Sequence, residues 1–519
     1  MHTRLLLSLL LCLSITPVAL IHAAPSVTTP EFAPPPNDVL IAPPPATLAF
    51  ATDEDLRLPS QYLAGRVAVR LVLPESNGLI DPSDEDWTPD QIEQVVSETQ
   101  AALDWWRDRL PAARLAFDLV VQTAPTNYEP IHHGIAQEGL WIGDVLQKLG
   151  YNGGNYIEQA YRVAFDLRDQ RSADWATTIF IVNSARDDGY FADGRFAYAY
   201  LNGPLSVITS DGGPYTTRWL RAVIAHEFAH LFGALGQYSA AGVSCDQRSG
   251  YLFAPTTNSM FNNCGTDEPS IMRELINSFT IGAVDASARA QLGYRDSDGD
   301  GVIDVLDTTP TITLTATGQT LSHRPVVELM VRDLGYPSPV QPDVSINPIR
   351  SVEYRVGDSD WQLALPVDGT FDQTREIVHV ELPLYDGEYV VEFRAVNLVG
   401  NVSDPITQTF TVSGLGVAPA YRLEPASIEN RTLVIHVQAP PETQLVEVST
   451  RRDFANPWRL PYRSEIALPL PNELALTTFT NASVLYVRFI DAAGLPSLVY
   501  SLPINVPEPV TVLIPLILR

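Results

Sequence analysis

Apolar positions in the first 310 residues switch between a period of two and a helical period, whereas after Pro310 they keep to alternation. Arg66-Val-Ala-Val-Arg-Leu-Val-Leu73 predicts a strand bounded by Pro74. Thr88-Pro-Asp-Gln91 supplies a cap, a proline at the first helical position and a box-closing glutamine. Ile92, Val95, Val96, Leu103, Trp106 and Leu110 then mark a long amphipathic helix, with Trp105 and Trp106 as core and rim. Strands are expected at 114–123, 177–182, 196–200 and 205–208, and helices at 140–149 and 156–167. The order strand, helix, strand, helices and several strands predicts an α/β layer with a mixed sheet.

The last helix of this layer spans Arg218–Gly233, with Leu220, Ile224, Leu231 and Leu235 on a buried face. Thr216 and Thr217 are candidate caps, and Gly233 can stop the helix by taking a positive φ. It carries His226-Glu227-Phe-Ala-His230, which puts two imidazoles one turn apart on one side. That spacing suits Zn²⁺, with Glu227 as general base for water. Histidine is scarce, 9 in 519 residues, and chance alone would give such a motif in roughly one chain in a hundred of this kind.

After Pro310 the short alternating strands are separated by Pro, Gly, Asn and Asp turns. Val352-Glu353 recurs as Val446-Glu447, and Arg394, Asn397, Gly400 and Ser403 recur as Arg488, Asp491, Gly494 and Ser497, all at an offset of 94. Two tandem all-β sandwiches of the immunoglobulin or fibronectin type III kind follow, at 310–413 and 414–505. Trp361 and Trp458 correspond if three residues are inserted, and buried packing is their expected role.

Composition refines this picture. Met1–Arg4 and the apolar Leu5–Ile21 resemble an export signal cleaved after Ala23, so the domain order begins with a signal peptide at 1–23. A proline-rich spacer follows at 24–60, without a cysteine that could latch a metal site, so latency is not expected. The zinc-helix domain occupies 61–293 and an acidic loop 294–309. The apolar tail 506–519 is too short to span a bilayer, and its default form is a closing strand. A secreted or cell-surface location follows. The net charge of −28 excludes nucleic acid as a partner by repulsion and suits cation binding. Three cysteines are present, and removal of Cys12 leaves Cys245 and Cys264, expected as a disulfide, with a Cys₂His₂ zinc site as the alternative.

Asp296, Asp298, Asp300, Asp304 and Asp307 occupy positions 1, 3, 5, 9 and 12 of a calcium loop, with Gly301 at the turn and the Val302 carbonyl at position 7. A structural Ca²⁺ at the end of the first domain is expected. Asp187, Asp188 and Asp193 form a second acidic loop whose ordinary reading is solvation.

The pattern His226-Glu227-x-x-His230-x-x-Gly233, with Ser270-Ile-Met-Arg273 some 40 residues on, resembles the metzincin zinc metallopeptidases. Phe191–Gly194, Phe196–Pro204 and Arg248–Leu252 extend the likeness to a group of secreted bacterial peptidases over about residues 61–310. The resemblance implies a methionine turn at Met272 under the metal. It also implies an edge strand carrying Phe196, Tyr198 and Tyr200 along which an extended extracellular peptide lies. Tyr238 is a candidate for stabilising the oxyanion. The chain departs from the pattern at the third-ligand position, where Gly236 has no ligand atom and Gln237 follows. Tyr238, Asp246, Asp267, Glu268, the His132-His133 pair or the Gln237 amide are the substitutes available. Two functions stay open: a secreted zinc endopeptidase, and an inactive metzincin-like protein that binds protein or carbohydrate at the cell surface.

Overall fold

The computed structural model describes residues 39–41, 57–315, 320–321, 325–414, 421–429, 432–469 and 484–505. The expected export signal, most of the expected spacer and the 506–519 tail lie outside the described residues. Among the described residues no helix is long and apolar enough to cross a membrane.

The first domain is a six-stranded mixed sheet. Its strands are β1 (Val39–Leu40), β2 (Arg66–Ser76), β3 (Ala116–Thr126), β4 (Trp175–Val182), β5 (Ala197–Tyr200) and β6 (Leu205–Thr209), in the order β1-β5-β6-β4-β2-β3. Only the β5–β6 pair is antiparallel. β2 continues through Pro74, correcting the expected stop. β4 pairs with β2 only as far as Val72, so beyond that point one side of β2 is an edge where proline is tolerated. β1 lies inside the supposed spacer, which the sequence did not reveal.

Helices cover both faces: α1 (Pro89–Arg109), α2 (Glu138–Lys148), α3 (Tyr156–Arg171) and α4 (Leu220–Leu231). The capping box of α1 forms as expected. The Gln91 amide N–H donates to Thr88, and the Thr88 N–H donates to the Gln91 side chain at 2.8 Å. Alternation in β2 sends Val67, Val69, Leu71 and Leu73 to the core shared with Trp106, Phe228 and Phe232, and Val72 to the core shared with Trp141 and Ile142. Trp106 is buried and its indole donates to the Ala225 carbonyl at 3.0 Å, while Trp105 stacks on Phe279.

Glu129 lies under the loop that follows β2. It is 2% exposed, accepts the Asp84 N–H at 3.1 Å, and burial pushes its pKa up to about 7. Its folded pKa exceeds the ordinary 4.5, so between these values the folded chain keeps a proton that the unfolded chain has lost. Stability from this group is therefore present below about pH 4.5 and lost as pH rises through 7. Glu129→Gln is expected to raise stability at pH 8 by on the order of 1–3 kcal/mol after solvent screening, and to leave it unchanged at pH 4. Calorimetry at the two pH values checks this.

The two C-terminal units are all-β sandwiches. The first runs from Pro310–Leu314 to Ile406–Val412 around Leu329, Val331, Ile349, Phe393 and Phe410. The second runs from Arg422–Leu423 to Tyr500–Asn505 around Val446, Val487 and Phe489. The repeat is physical: Glu353–Arg394 and Glu447–Arg488 are equivalent ion pairs, and the Ser403 and Ser497 hydroxyls accept the Ala395 and Phe489 N–H groups. The tryptophans correct the expectation of core burial. Both are half-buried, and Trp361 packs against the guanidinium groups of Arg355 and Arg394, 4.8 and 4.1 Å from its ring centroid. Phe454 plays the matching part under Arg488 at 4.3 Å.

Candidate metal centre

α4 is shorter than expected and starts differently. A 3₁₀ turn over Thr217–Trp219 precedes it, and its N-cap residue Trp219 makes no side-chain cap. The Arg221 N–H is instead taken by the Glu98 carboxylate at 3.2 Å, and the Thr217 hydroxyl donates to Asp211. Nor is it amphipathic. Every residue is buried except Arg221, which Glu98 clamps at 2.5 and 2.7 Å. Gly233 does take a positive φ, +94°, and its backbone approaches Gly250 so closely that a Cβ would sit 2.6 Å from the Gly250 Cα.

Burial fixes the two imidazoles. His226 Nδ1 lies 2.8 Å from the Ile271 carbonyl oxygen and His230 Nδ1 2.6 Å from that of Ala234. A carbonyl only accepts, so both Nδ1 atoms carry a proton, which in the neutral rings leaves a lone pair on each Nε2. These lone pairs converge, with Nε2 to Nε2 at 3.1 Å. Two lone pairs at that distance repel unless a cation or a shared proton lies between them. Tetrahedral zinc with Zn–N of 2.0–2.1 Å would need about 3.3 Å between the nitrogens, so the donor set fits. The carbonyls act as outer partners that set tautomer and ring orientation. Glu227 is buried in the same turn, 1% exposed.

The Ile271 carbonyl belongs to a tight turn in which the Arg273 and Glu274 N–H groups both donate to Ser270. Met272 is fully buried within it. Gly236 leaves a gap that is already filled: a Cβ there would meet the Tyr238 ring and the Ala241 Cβ, both at 3.0 Å. The Tyr238 ring is buried 6.0 Å from that of His226.

Of the other proposed ligands, His132, His133, Asp267 and Gln237 are engaged elsewhere. His133 pairs with Asp81 at 2.7 Å and His132 with Asp84 at 3.5 Å, while Arg273 holds Asp267. Gln237 is a buried hub. Its amide nitrogen donates to Asp285 at 2.8 Å and Ser287 at 3.1 Å, and its oxygen accepts from Asn258 at 3.0 Å. Its backbone N–H donates to Met272 at 2.6 Å. Sequence reasoning missed Asn258, Asp285 and Ser287, which no local spacing marks. The Cys245–Cys264 disulfide forms, with Cα atoms 5.4 Å apart, so those thiols are not metal ligands.

Of the expected edge residues, Tyr198 and Tyr200 turn away from α4 into the core beneath α2 and α3. Buried Glu138 accepts from Tyr156 at 2.8 Å and from Tyr200, and burial pushes its carboxyl pKa up. Phe196 and Ala199 share the core of α4. A partner could therefore reach only the main chain of Tyr198 and Tyr200. That edge is not bare, because Val39 and Leu40 pair with Ala199 and Tyr200.

In the acidic loop, carboxylate oxygens of Asp296, Asp298 and Asp300 lie within 4.8 Å of one another. Asp304 is instead bonded to Arg295 Nε at 2.5 Å and to Ser297, and Asp307 accepts from Asn401 at 2.6 Å. The six expected ligands thus separate into three that converge, two spent on neighbouring contacts, and the Val302 carbonyl. Asp193 accepts from the Ile135 N–H and pairs with Arg195, which gives that loop a structural role.

No protein-family model and no curated protein matches the chain. Solved structures match part of the chain. Fibronectin(III)-like modules of Clostridium thermocellum CbhA share 14% identity over 38% of this chain and 94% of theirs, with a TM-score of 0.14. The SrpA adhesin of Streptococcus sanguinis shares 14% over 26% of this chain and 93% of its own, with a TM-score of 0.15. Chicken CNTN1 FN1–FN3 domains share 13% over 38% and 66%, with a TM-score of 0.15. The assignment of two sandwiches rests on the strands and cores described above.

Proposed function

We propose that the chain is an exported, zinc-dependent endopeptidase of metzincin type that hydrolyses extracellular protein. The observation that carries this reading is the convergence of two Nε2 lone pairs 3.1 Å apart, each imposed by a carbonyl on the opposite ring nitrogen. When bound, zinc supplies Lewis acidity toward a scissile carbonyl and makes water more acidic. His226 and His230 would hold it. Glu227 takes the proton of the attacking water and passes it to the leaving amine. Tyr238 is assigned the hydrogen bond to the carbonyl oxygen as charge develops. Met272 fills the turn whose Ile271 carbonyl orients His226, and the main chain of β5 orients an extended substrate.

Gly236 favours a second reading, since three protein ligands are usual for catalytic zinc and glycine supplies none. On that reading the domain is inactive, and the sandwiches make an adhesive or carbohydrate contact at the cell surface. Quenched casein separates the two. Cleavage that a chelator abolishes and zinc restores supports the peptidase, and absence of cleavage at saturating zinc supports the surface protein.

The acidic loop is proposed as a weak calcium site built on Asp296, Asp298 and Asp300, beside a joint held by Asp304 and Asp307. With Kd of about 10⁻⁴–10⁻³ M, 10 mM calcium should add about 1.4–2.7 kcal/mol of stability. Asp298→Ala should remove that gain, as read by Tm with and without calcium.

A further inference from the structure

We propose that Val39–Ile41 is a self-docked strand that competes with extended peptides for the outer edge of β5, so that the chain covers its own substrate edge.

The register is defined. Val39 lies opposite Ala199 and Leu40 opposite Tyr200, in parallel. The Leu201 N–H donates to the Leu40 carbonyl at 2.7 Å. Leu40 packs against the core beneath α2 and α3, whereas Ile41 is 83% exposed. Among the described residues, one apolar anchor and a few main-chain bonds therefore hold the segment. The occupied edge lies beside the metal helix, because the Asn202 N–H, in the turn after β5, donates to the His230 carbonyl at 3.1 Å.

A backbone N–H or C=O on a sheet edge takes one strand partner at a time. An incoming peptide needs the groups of Ala199 and Leu201 whichever way it runs, so it must displace Leu40. The flanking sequence keeps this contact short. Pro34-Pro-Pro36 and Pro43-Pro-Pro45 bracket the segment. Proline has no N–H to give a ladder, so pairing cannot spread beyond Asn37–Ala42. A strand that cannot lengthen is held weakly enough to exchange, unlike a permanent sheet member.

The consequence for catalysis rests on the peptidase reading; the docking itself does not. The test uses the mature chain 24–519 and its Leu40→Pro and Leu40→Asp variants. Proline removes the residue 40 N–H, and aspartate puts a charge against the apolar anchor. Hydrogen exchange at the Leu201 amide and binding of a fluorescein-labelled Asn37–Ala42 peptide are measured without added metal. Both variants should exchange Leu201 about tenfold faster and bind the peptide about tenfold more tightly than the parent, as expected for one backbone hydrogen bond lost or freed. Unchanged Leu201 exchange in both variants, or equal peptide affinity for parent and variants, would overturn the proposal. With zinc, the variants should show a lower KM on casein at similar kcat. If exchange and binding respond but no protein cleaves casein, the docked strand stands and the peptidase reading fails.

Discussion

Glu227→Gln is expected to lower kcat/KM on quenched casein by about 10²–10⁴-fold while the protein keeps its zinc. The two side chains are nearly isosteric, so the buried turn between His226 and His230 retains its packing. The imidazoles are oriented by the Ile271 and Ala234 carbonyls rather than by residue 227, so both Nε2 lone pairs should still converge. What the substitution removes is the capacity to accept a proton from water. Metal content and rate measured on the same sample separate the effects. Loss of rate with zinc retained identifies a base, whereas loss of both identifies a structural role.

Gln237→Leu is expected to destabilise the first domain by about 3–5 kcal/mol and to weaken zinc binding by about 10–100-fold. Leucine fills much of the volume but abandons Asp285, Ser287 and the Asn258 amide, all buried. A buried carboxylate that loses a donor carries the largest part of the cost. The zinc effect is indirect. Loss of the side-chain bonds shifts residue 237, whose backbone N–H ties the segment after α4 to the turn at Met272, and the preceding carbonyl of that turn, Ile271, orients His226. Denaturant unfolding and zinc titration of this variant read the two effects separately. Normal zinc affinity in a destabilised protein would show that the turn is held by other contacts.

The fold was legible where its causes are local. The α1 capping box, the stopping role of Gly233 and the convergence of Asp296, Asp298 and Asp300 all depend on residues within a few positions of one another. The same locality misled at the start of α4. Thr216 and Thr217 look like caps, but a 3₁₀ turn intervenes and Asp211 takes the Thr217 hydroxyl. Long-range partners explain the other departures. Asp304 and Asp307 belong to the loop by spacing, yet Arg295 and Asn401 claim them. Tyr198 and Tyr200 alternate as edge residues should, but the buried carboxylate of Glu138 draws Tyr200 to the far face. β1 left no signal, because two residues between proline triplets have no period, and their pairing depends on a strand far along the chain.

The site was partly legible. Spacing alone placed His226 and His230, whereas the carbonyls that orient them could not be read from it. Gly236 was recognisable as a missing ligand. That the Tyr238 ring fills its space, and that Gln237 is held in a hydrogen-bonded hub away from any ligand role, required the packing of the loop.

The most direct test is zinc stoichiometry on residues 24–519, compared with the same chain carrying His226→Ala. One zinc per chain is expected, lost when His226 is replaced. Absence of bound zinc at micromolar supply, or zinc retained at the same stoichiometry and affinity in His226→Ala, would contradict it.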